Sequence, residues 1–361
     1  MQLSQQIIEI YLKLEGLLLD SIGKAIGSGS NVTKDTLEKW QASLYRELSS
    51  LQNYQLRLIM QAAKKVNPKM RSMIREMATD QARITTKEIQ QVLPELEGIP
   101  FTDSTNTKQA LMTLDLEAMT RLEMMNATML KQSSSIYLEI ITQASAEFVN
   151  GAITLEEALV KTAAKWSENG MPALIDRRGA KWSTEAYVNM VVKNTQKNVA
   201  DKIQNARFDD YDVDLVGVSS HAGSRPTHLD YQGRIYSRSG KSKKYPPLSS
   251  TSYGKIDGIV TGINCNHRLY VYIEGVSVQR YHPYNKKESI AKYKESQRQR
   301  LLERNIRKAK HQFSMLQSME VDENYLKDAR RRITYRQAQM RQFINQTGRT
   351  RRYNREQIVE T

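Results

Sequence analysis

The sequence predicts a predominantly α-helical α+β chain: a helical N-terminal region, a small β-containing domain and a long basic C-terminal helix. Three observations predict it. Apolar residues recur at helical spacing through the first half. Residues 207–285 hold 8 of the 17 Gly, 4 of the 8 Pro and 9 of the 18 Tyr, in short apolar runs divided by turn residues. Over residues 286–361 the helical pattern returns, with 20 basic and 9 acidic side chains.

The first element rests on Ile7, Tyr11, Leu14 and Leu18, which share one helix face. Gly27-Ser-Gly-Ser-Asn31 is a loop. Asp35 and Glu38 have the spacing of a capping box. A long helix follows on Leu44, Leu48, Leu51, Leu58 and Ala62, and Pro68 is expected to close it. Pro94 ends the next helical stretch, and 98–107 reads as a linker. Leu111, Leu114, Ala118, Leu122, Met125 and Met129 line another helix, with Met as flexible core filler. Thr154 and Glu157 form a second capping box, and Gly170 suits a helix end. Arg177-Arg-Gly-Ala180 is a turn. A helix then starts at Ser183 or Thr184 and buries Val188, Val192, Val199 and Ile203.

Short strands are expected at 214–218, 234–236, 258–263 and 268–273. In the last segment Leu302, Ile306, Ala309, Phe313 and Leu316 step 4, 3, 4, 3, an apolar seam for a partner helix. Arg300, Arg304, Arg307 and His311 step along another face. Arg300, Arg304 and Arg307, together with Arg298, Lys308 and Lys310, are the residues expected to meet nucleic-acid phosphates. Residues 347–352 read as a frayed basic end. The organisation is thus 1–105, a helical docking region; 106–206, a helical lead-in; 207–285, the β-containing domain; and 286–361, the basic tail.

Composition excludes several classes. The net charge is +15, concentrated at one end, as in an arm that meets a polyanion. A single Cys leaves no internal disulfide framework. No apolar run approaches the ~18 residues of a membrane span, and the first residues lack the basic start of a signal peptide. The sequence has no GxxxxGK[ST], GxGxxG after a strand, or GxSxG motif.

Chemistry-bearing residues gather in the β-containing segment: His221 and His228 in one loop, then Cys265 and His267 in Asn-Cys-Asn-His. On a strand, Cys265 and His267 would share a face. One Cys and three His suit a tetrahedral zinc ion, although the spacing is not that of a standard finger. The same side chains could instead hold loops by hydrogen bonds, or support metal-assisted phosphodiester chemistry. Asp230 and Asp257 are the nearest carboxylates and form no nuclease pattern.

The run 219–236 (SSHAGSRPTHLDYQGRIY), Tyr253-Gly-Lys-Ile-Asp-Gly258 and Gly262-Ile-Asn-Cys-Asn-His267 resemble the tailed-phage minor capsid protein 2 family, akin to Mu F-like head morphogenesis proteins. Trp182–Met190, Asp214–Ser220 and the basic helix Gln299–Lys308 fit its pattern too. The resemblance covers about 150–345. It implies a structural head component present in few copies, inside the capsid near the portal, touching portal and capsid proteins and packaged double-stranded DNA. It implies no enzyme activity and no membrane. The family's motif His and Cys carry over to His221, His228, Cys265 and His267 without a role. Asn266 departs from the family's usual Arg, which removes a charge at that position. Two competing readings remain: a metal-dependent nuclease or hydrolase using the His/Cys cluster, and a cytosolic nucleic-acid-binding protein that dimerises through Leu302–Leu316.

Overall fold

A computed structural model describes residues 3–151 and 153–358. The helices are α1 (Leu3–Ile26), α2 (Leu37–Val92), α3 (Thr105–Val149), α4 (Leu155–Asn169), α5 (Thr184–Asp210), α6 (Lys286–Ser318) and α7 (Glu323–Thr347). The strands are β1 (Pro172–Ile175), β2 (Lys181–Ser183), β3 (Leu215–Val218), β4 (Ile235–Ser237) and β5 (Leu269–Val271). The chain is therefore the predominantly helical α+β protein that its pattern predicts. It divides into two compact units, each drawn from separated segments: Met1–Asn67, Arg121–Asn189 and Arg298–Thr361 in the first, Pro68–Thr120 and Met190–Gln297 in the second.

The first unit is a helical assembly carrying the β1–β2 hairpin. Ile7, Tyr11, Leu14, Leu18 and Ile22 of α1 are buried. Buried Tyr hydroxyls need partners, and Tyr11 donates to Asn126 Oδ1 (3.0 Å) while Tyr137 donates to the Leu44 carbonyl (2.9 Å). At Gly23 a Cβ would sit 2.1 Å from Ser318 Oγ and 3.2 Å from the Met315 carbonyl oxygen, so the glycine lets α1 pack closely on the end of α6. The Thr154–Glu157 capping box of α4 forms reciprocally, at 3.1 and 2.8 Å. Asp176 Oδ1 closes the hairpin turn by accepting from the N–H groups of Arg178 and Ala180, each at 2.9 Å.

Several expectations give way in this unit. Helix α2 starts after a turn held by Thr33 N–H on Thr36 Oγ1 (2.9 Å), not by Asp35 and Glu38. Pro68 does not stop the helix. Buried Val66, Met70, Met73 and Ile74 anchor both sides of it, and their burial outweighs the ~3 kcal/mol that an internal proline costs. The basic tail is two helices rather than one. Glu320 takes φ 55°, and the Asp322 carboxylate caps α7 by accepting from Asn324 N–H (2.9 Å). The apolar seam of α6 is filled within the chain, with Leu302 and Ile306 against Met340, Phe343 and Ile344 of α7. The surface on which a dimer would have formed is therefore occupied. Residues 347–352 are not frayed. Gly348 closes α7 in the left-handed conformation (φ 65°). Arg352 then binds buried Glu303 at 2.7 and 3.1 Å, and Arg351 binds buried Glu356 at 2.7 and 2.5 Å.

At the centre of this unit Glu15 is buried and accepts the Met171 N–H at 2.8 Å. Burial pushes its carboxyl up to about 8. His311 Nε2 stands 4.0 Å from Glu15 Oε2, and burial lowers that imidazole to about 4. Near neutral pH the two are uncharged neighbours, not an ion pair.

In the second unit the antiparallel sheet has the order β4-β3-β5. Val216 pairs with Tyr236 on one side and Val271 on the other. Ile89 of α2 and Phe208 of α5 pack with Val216, Val218, Leu269 and Val271 in the core. Gly217 is required at mid-strand, because a Cβ there would lie 2.0 Å from the Tyr270 ring. The strand expected at 258–263 is a set of tight turns. Gly262 N–H donates to the Gly258 carbonyl (2.9 Å), and Val260 has φ 66°. Ile259 and Val260 are both buried, which a half-buried strand with alternating faces would not allow. Arg207, 1% exposed, is held by Asp210 (2.9 Å), Thr86 Oγ1 (2.9 Å), the Ile99 carbonyl (2.6 Å) and Tyr211 Oη (3.2 Å).

Two outcomes are expected. Arg207→Ala leaves the Asp210 carboxylate without its partner and should cost about 3–5 kcal/mol in denaturant unfolding. For Glu15 the folded state holds its proton more tightly than the unfolded chain. Its contribution to stability is therefore complete below about 4.5 and is lost as pH rises through about 8. Glu15→Gln should gain stability relative to the wild type across that window. A difference that stays flat from pH 4.5 to 8 in melting experiments would exclude a neutral Glu15.

Candidate functional site

The His/Cys cluster lies in the second unit, at the end of the β3–β5 ladder. Beyond Val218 the pairing continues for one more residue: Ser219 N–H donates to the Arg268 carbonyl (2.9 Å) and Arg268 N–H to Ser219 Oγ (2.8 Å). That brings the His221 loop beside the Cys265–His267 segment. A single 3-10 turn, Pro226–His228, delivers His228. Arg225 ties the loops by donating to the carbonyls of Asp257 (3.1 Å) and Ile263 (3.0 Å). Residues 265–267 precede β5 and are not a strand, and Asn264 has φ 57°.

Three of the four expected ligands converge. His228, Cys265 and His267 are buried, and their donor atoms lie within 4.8 Å of one another. Cys265 Sγ is 3.2 Å from His267 Nδ1 and 3.7 Å from His228 Nδ1. The outer ring nitrogens face carbonyl oxygens: His228 Nε2 on Asp257 O at 2.8 Å, His267 Nε2 on Gln232 Oε1 at 2.9 Å. Gln232 Oε1 also accepts the His221 backbone N–H (3.2 Å). His221 stands at the edge of this set. Its ring centroid is 4.5 Å from that of His267, and its buried Nε2 has no hydrogen-bond partner. Burial, reinforced by the neighbouring imidazoles, lowers His267 to about 3, and burial also lowers His228. Both rings are thus neutral at physiological pH. Lys197 of α5 donates to the His267 carbonyl; burial lowers its ammonium, and the nearby Cys265 and Asp201 act the other way.

The sequence pointed to the four His and Cys but not to what orients them. Gln232 lies in Tyr231-Gln-Gly-Arg234, which reads as a turn. Lys197 sits in a helix without a local signal of any role.

The expected phosphate-binding residues lie in the first unit, on α6, and the structure divides them. Arg298, Arg304 and Lys308 are exposed, and Arg300 and Lys310 are half-buried. Arg307 is a correction: it is buried and forms an ion pair with Glu185. The face of α6 that carries Arg307 and His311 turns inward, whereas Arg304 and Lys308, four residues apart, share the outer face. There they join Lys165 of α4 and Lys181 of β2 around a cleft of about 640 Å³ that also contains Trp166 and Trp182. Lys181 Nζ lies 4.7 Å from the Trp166 ring centroid. Among the described residues the cleft lining contains four cations and no carboxylate. Sequence reading missed Lys165, Lys181 and the two Trp, because nothing local links them to α6.

Comparison with known proteins covers nearly all of the chain. The family model for phage minor capsid protein 2 matches residues 1–345, so the N-terminal helices belong to the match as well as the segment from 150 onward. A "Structural protein" of Lactococcus phage LL-H is 25% identical over 358 residues, covering 95% of each chain. A "Structural protein" of Lactococcus phage mv4 is 34% identical over 117 residues, 32% of this chain and 94% of that one. No solved structure matches. A match that runs from α1 through α7, and so includes both the His/Cys loops and the basic helices, shows that the chain belongs to the phage minor capsid protein 2 family.

Proposed function

We propose that the chain is a low-copy structural protein of a tailed-phage head. It lies inside the capsid near the portal, binds portal and other capsid proteins, and touches packaged double-stranded DNA. It is made in the bacterial cytoplasm and is not an enzyme. Family membership supports the structural part, as do the two relatives described as structural proteins. No helix of the described residues is long and apolar enough to cross a membrane.

The observation that carries the DNA contact is the cleft of Lys165, Lys181, Arg304 and Lys308. Four cations drawn from three elements attract a polyanion irrespective of sequence. The Trp166 and Trp182 rings add flat apolar surface between the charges. Such a site fixes position on a backbone and reads no bases.

Two measurements test this reading. Mass spectrometry of gradient-purified particles should find the chain at a low, constant ratio to the major capsid protein; absence from particles would overturn the proposal. The double variant Arg304→Ala, Lys308→Ala should reduce the slope of log Kd against log salt for duplex DNA by about 2, one unit per lost phosphate contact. An unchanged slope would exclude this cleft. Arg307→Ala serves as the contrast: it removes the partner of Glu185, so it should lower the melting temperature.

A further inference from the structure

We propose that His228, Cys265 and His267 bind a zinc ion, with His221 as its fourth ligand, and that the ion fastens the loops around the β3–β5 ladder. The argument starts from counting protons. Asp257 O is a carbonyl and can only accept, so His228 Nε2 carries the proton. Gln232 Oε1 already accepts the His221 backbone N–H, which identifies that atom as the oxygen and makes His267 Nε2 a donor too. Each neutral ring therefore presents an Nδ1 lone pair to Cys265 Sγ. The thiol has one proton and can serve only one of them. The second lone pair is left buried without a donor, and so is His221 Nε2 as an uncommitted nitrogen. A cation satisfies all of these atoms at once, and the thiol proton leaves to solvent when it binds.

The spacing agrees with zinc. Zn–N bonds of ~2.0–2.1 Å and a Zn–S bond of ~2.3 Å in a tetrahedron place N and S ligands ~3.5 Å apart. The observed separations, 3.2 and 3.7 Å, fall on either side of that value. The outer nitrogens already make the bonds to carbonyl oxygen that orient ligating imidazoles. One thiolate and three imidazoles, with no oxygen donor, exclude the calcium and magnesium chemistries. His221 lies beside His267, their ring centroids 4.5 Å apart, which makes it the imidazole at hand for the fourth position.

The site has a structural purpose. Strands β4 and β5 have three residues each, and the chain between β3 and β5 is otherwise almost all turns. A bond network joining 221, 228, 265 and 267 closes two long loops that the small sheet alone holds weakly.

The test uses the full chain, purified without chelator. Elemental analysis should find about one zinc per chain. Replacement by cobalt should give the intense visible absorption of a tetrahedral site and a thiolate-to-cobalt charge-transfer band in the near ultraviolet. Stripping the zinc should lower the melting temperature, and adding it back should restore it. Cys265→Ser should lose the charge-transfer band. His221→Ala, a change at the edge of the cluster, should keep that band but weaken zinc about tenfold or more. Substoichiometric metal after equilibration with zinc, or a cobalt spectrum without the thiolate band in the wild type, would overturn the proposal. Unchanged zinc affinity in His221→Ala would remove His221 from the ligand set. Zinc-dependent cleavage of phosphodiesters by the wild type would overturn the structural role.

Discussion

A charge that leaves water must meet an opposite charge, and the C-terminal third of this chain is arranged around that requirement. Glu303 and Glu356 are almost wholly buried, and Arg352 and Arg351 return from beyond α7 to meet them. Arg307 is buried on Glu185. Removing one member of such a pair costs far more than the pair itself contributes, so the fold of α6, α7 and the closing segment stands or falls together. The net charge of +15 is consequently a poor measure of what faces a partner. Part of the arginine content is internal fastening, and the outward field comes from the exposed remainder.

The same logic separates two uses of one helix. Helix α6 presents Leu302 and Ile306 to α7, Arg307 and His311 to the interior, and Arg304 and Lys308 to solvent. Three faces at 3.6 residues per turn leave little freedom for substitution. The buried Glu15 beside His311 stays neutral because burial dominates both groups. No fixed charge then lies directly beneath the cationic surface at those two positions.

Much of this was legible in the sequence, and the failures have physical causes. Helix faces such as Val188, Val192, Val199 and Ile203 were readable because burial repeats with the helical period. The Thr154–Glu157 cap was readable because its chemistry is local. Pro68 was misread because a local penalty was set against tertiary packing that the sequence does not display. The face of Arg307 was misread because charge does not reveal whether a carboxylate waits inside. The four His and Cys stood out by residue type, but the convergence of three of them depends on the ladder between Ser219 and Arg268, a contact across 49 residues. Gln232 and Lys197 had no signal at all, since their roles exist only once the loops have met. The hairpin β1–β2 was read as a turn alone, because its strands are too short to show alternation.

The small sheet has a further consequence. A sheet edge offers unpaired N–H and C=O groups on which another strand can grow. Here the central strand β3 is paired on both sides, and the edges β4 and β5 extend for three residues each. At the end of β4 the Ser237 N–H already donates to the Pro246 carbonyl (2.9 Å), and Gly275 follows four residues after β5. The three-stranded sheet thus exposes only a short ladder on which a further strand could grow.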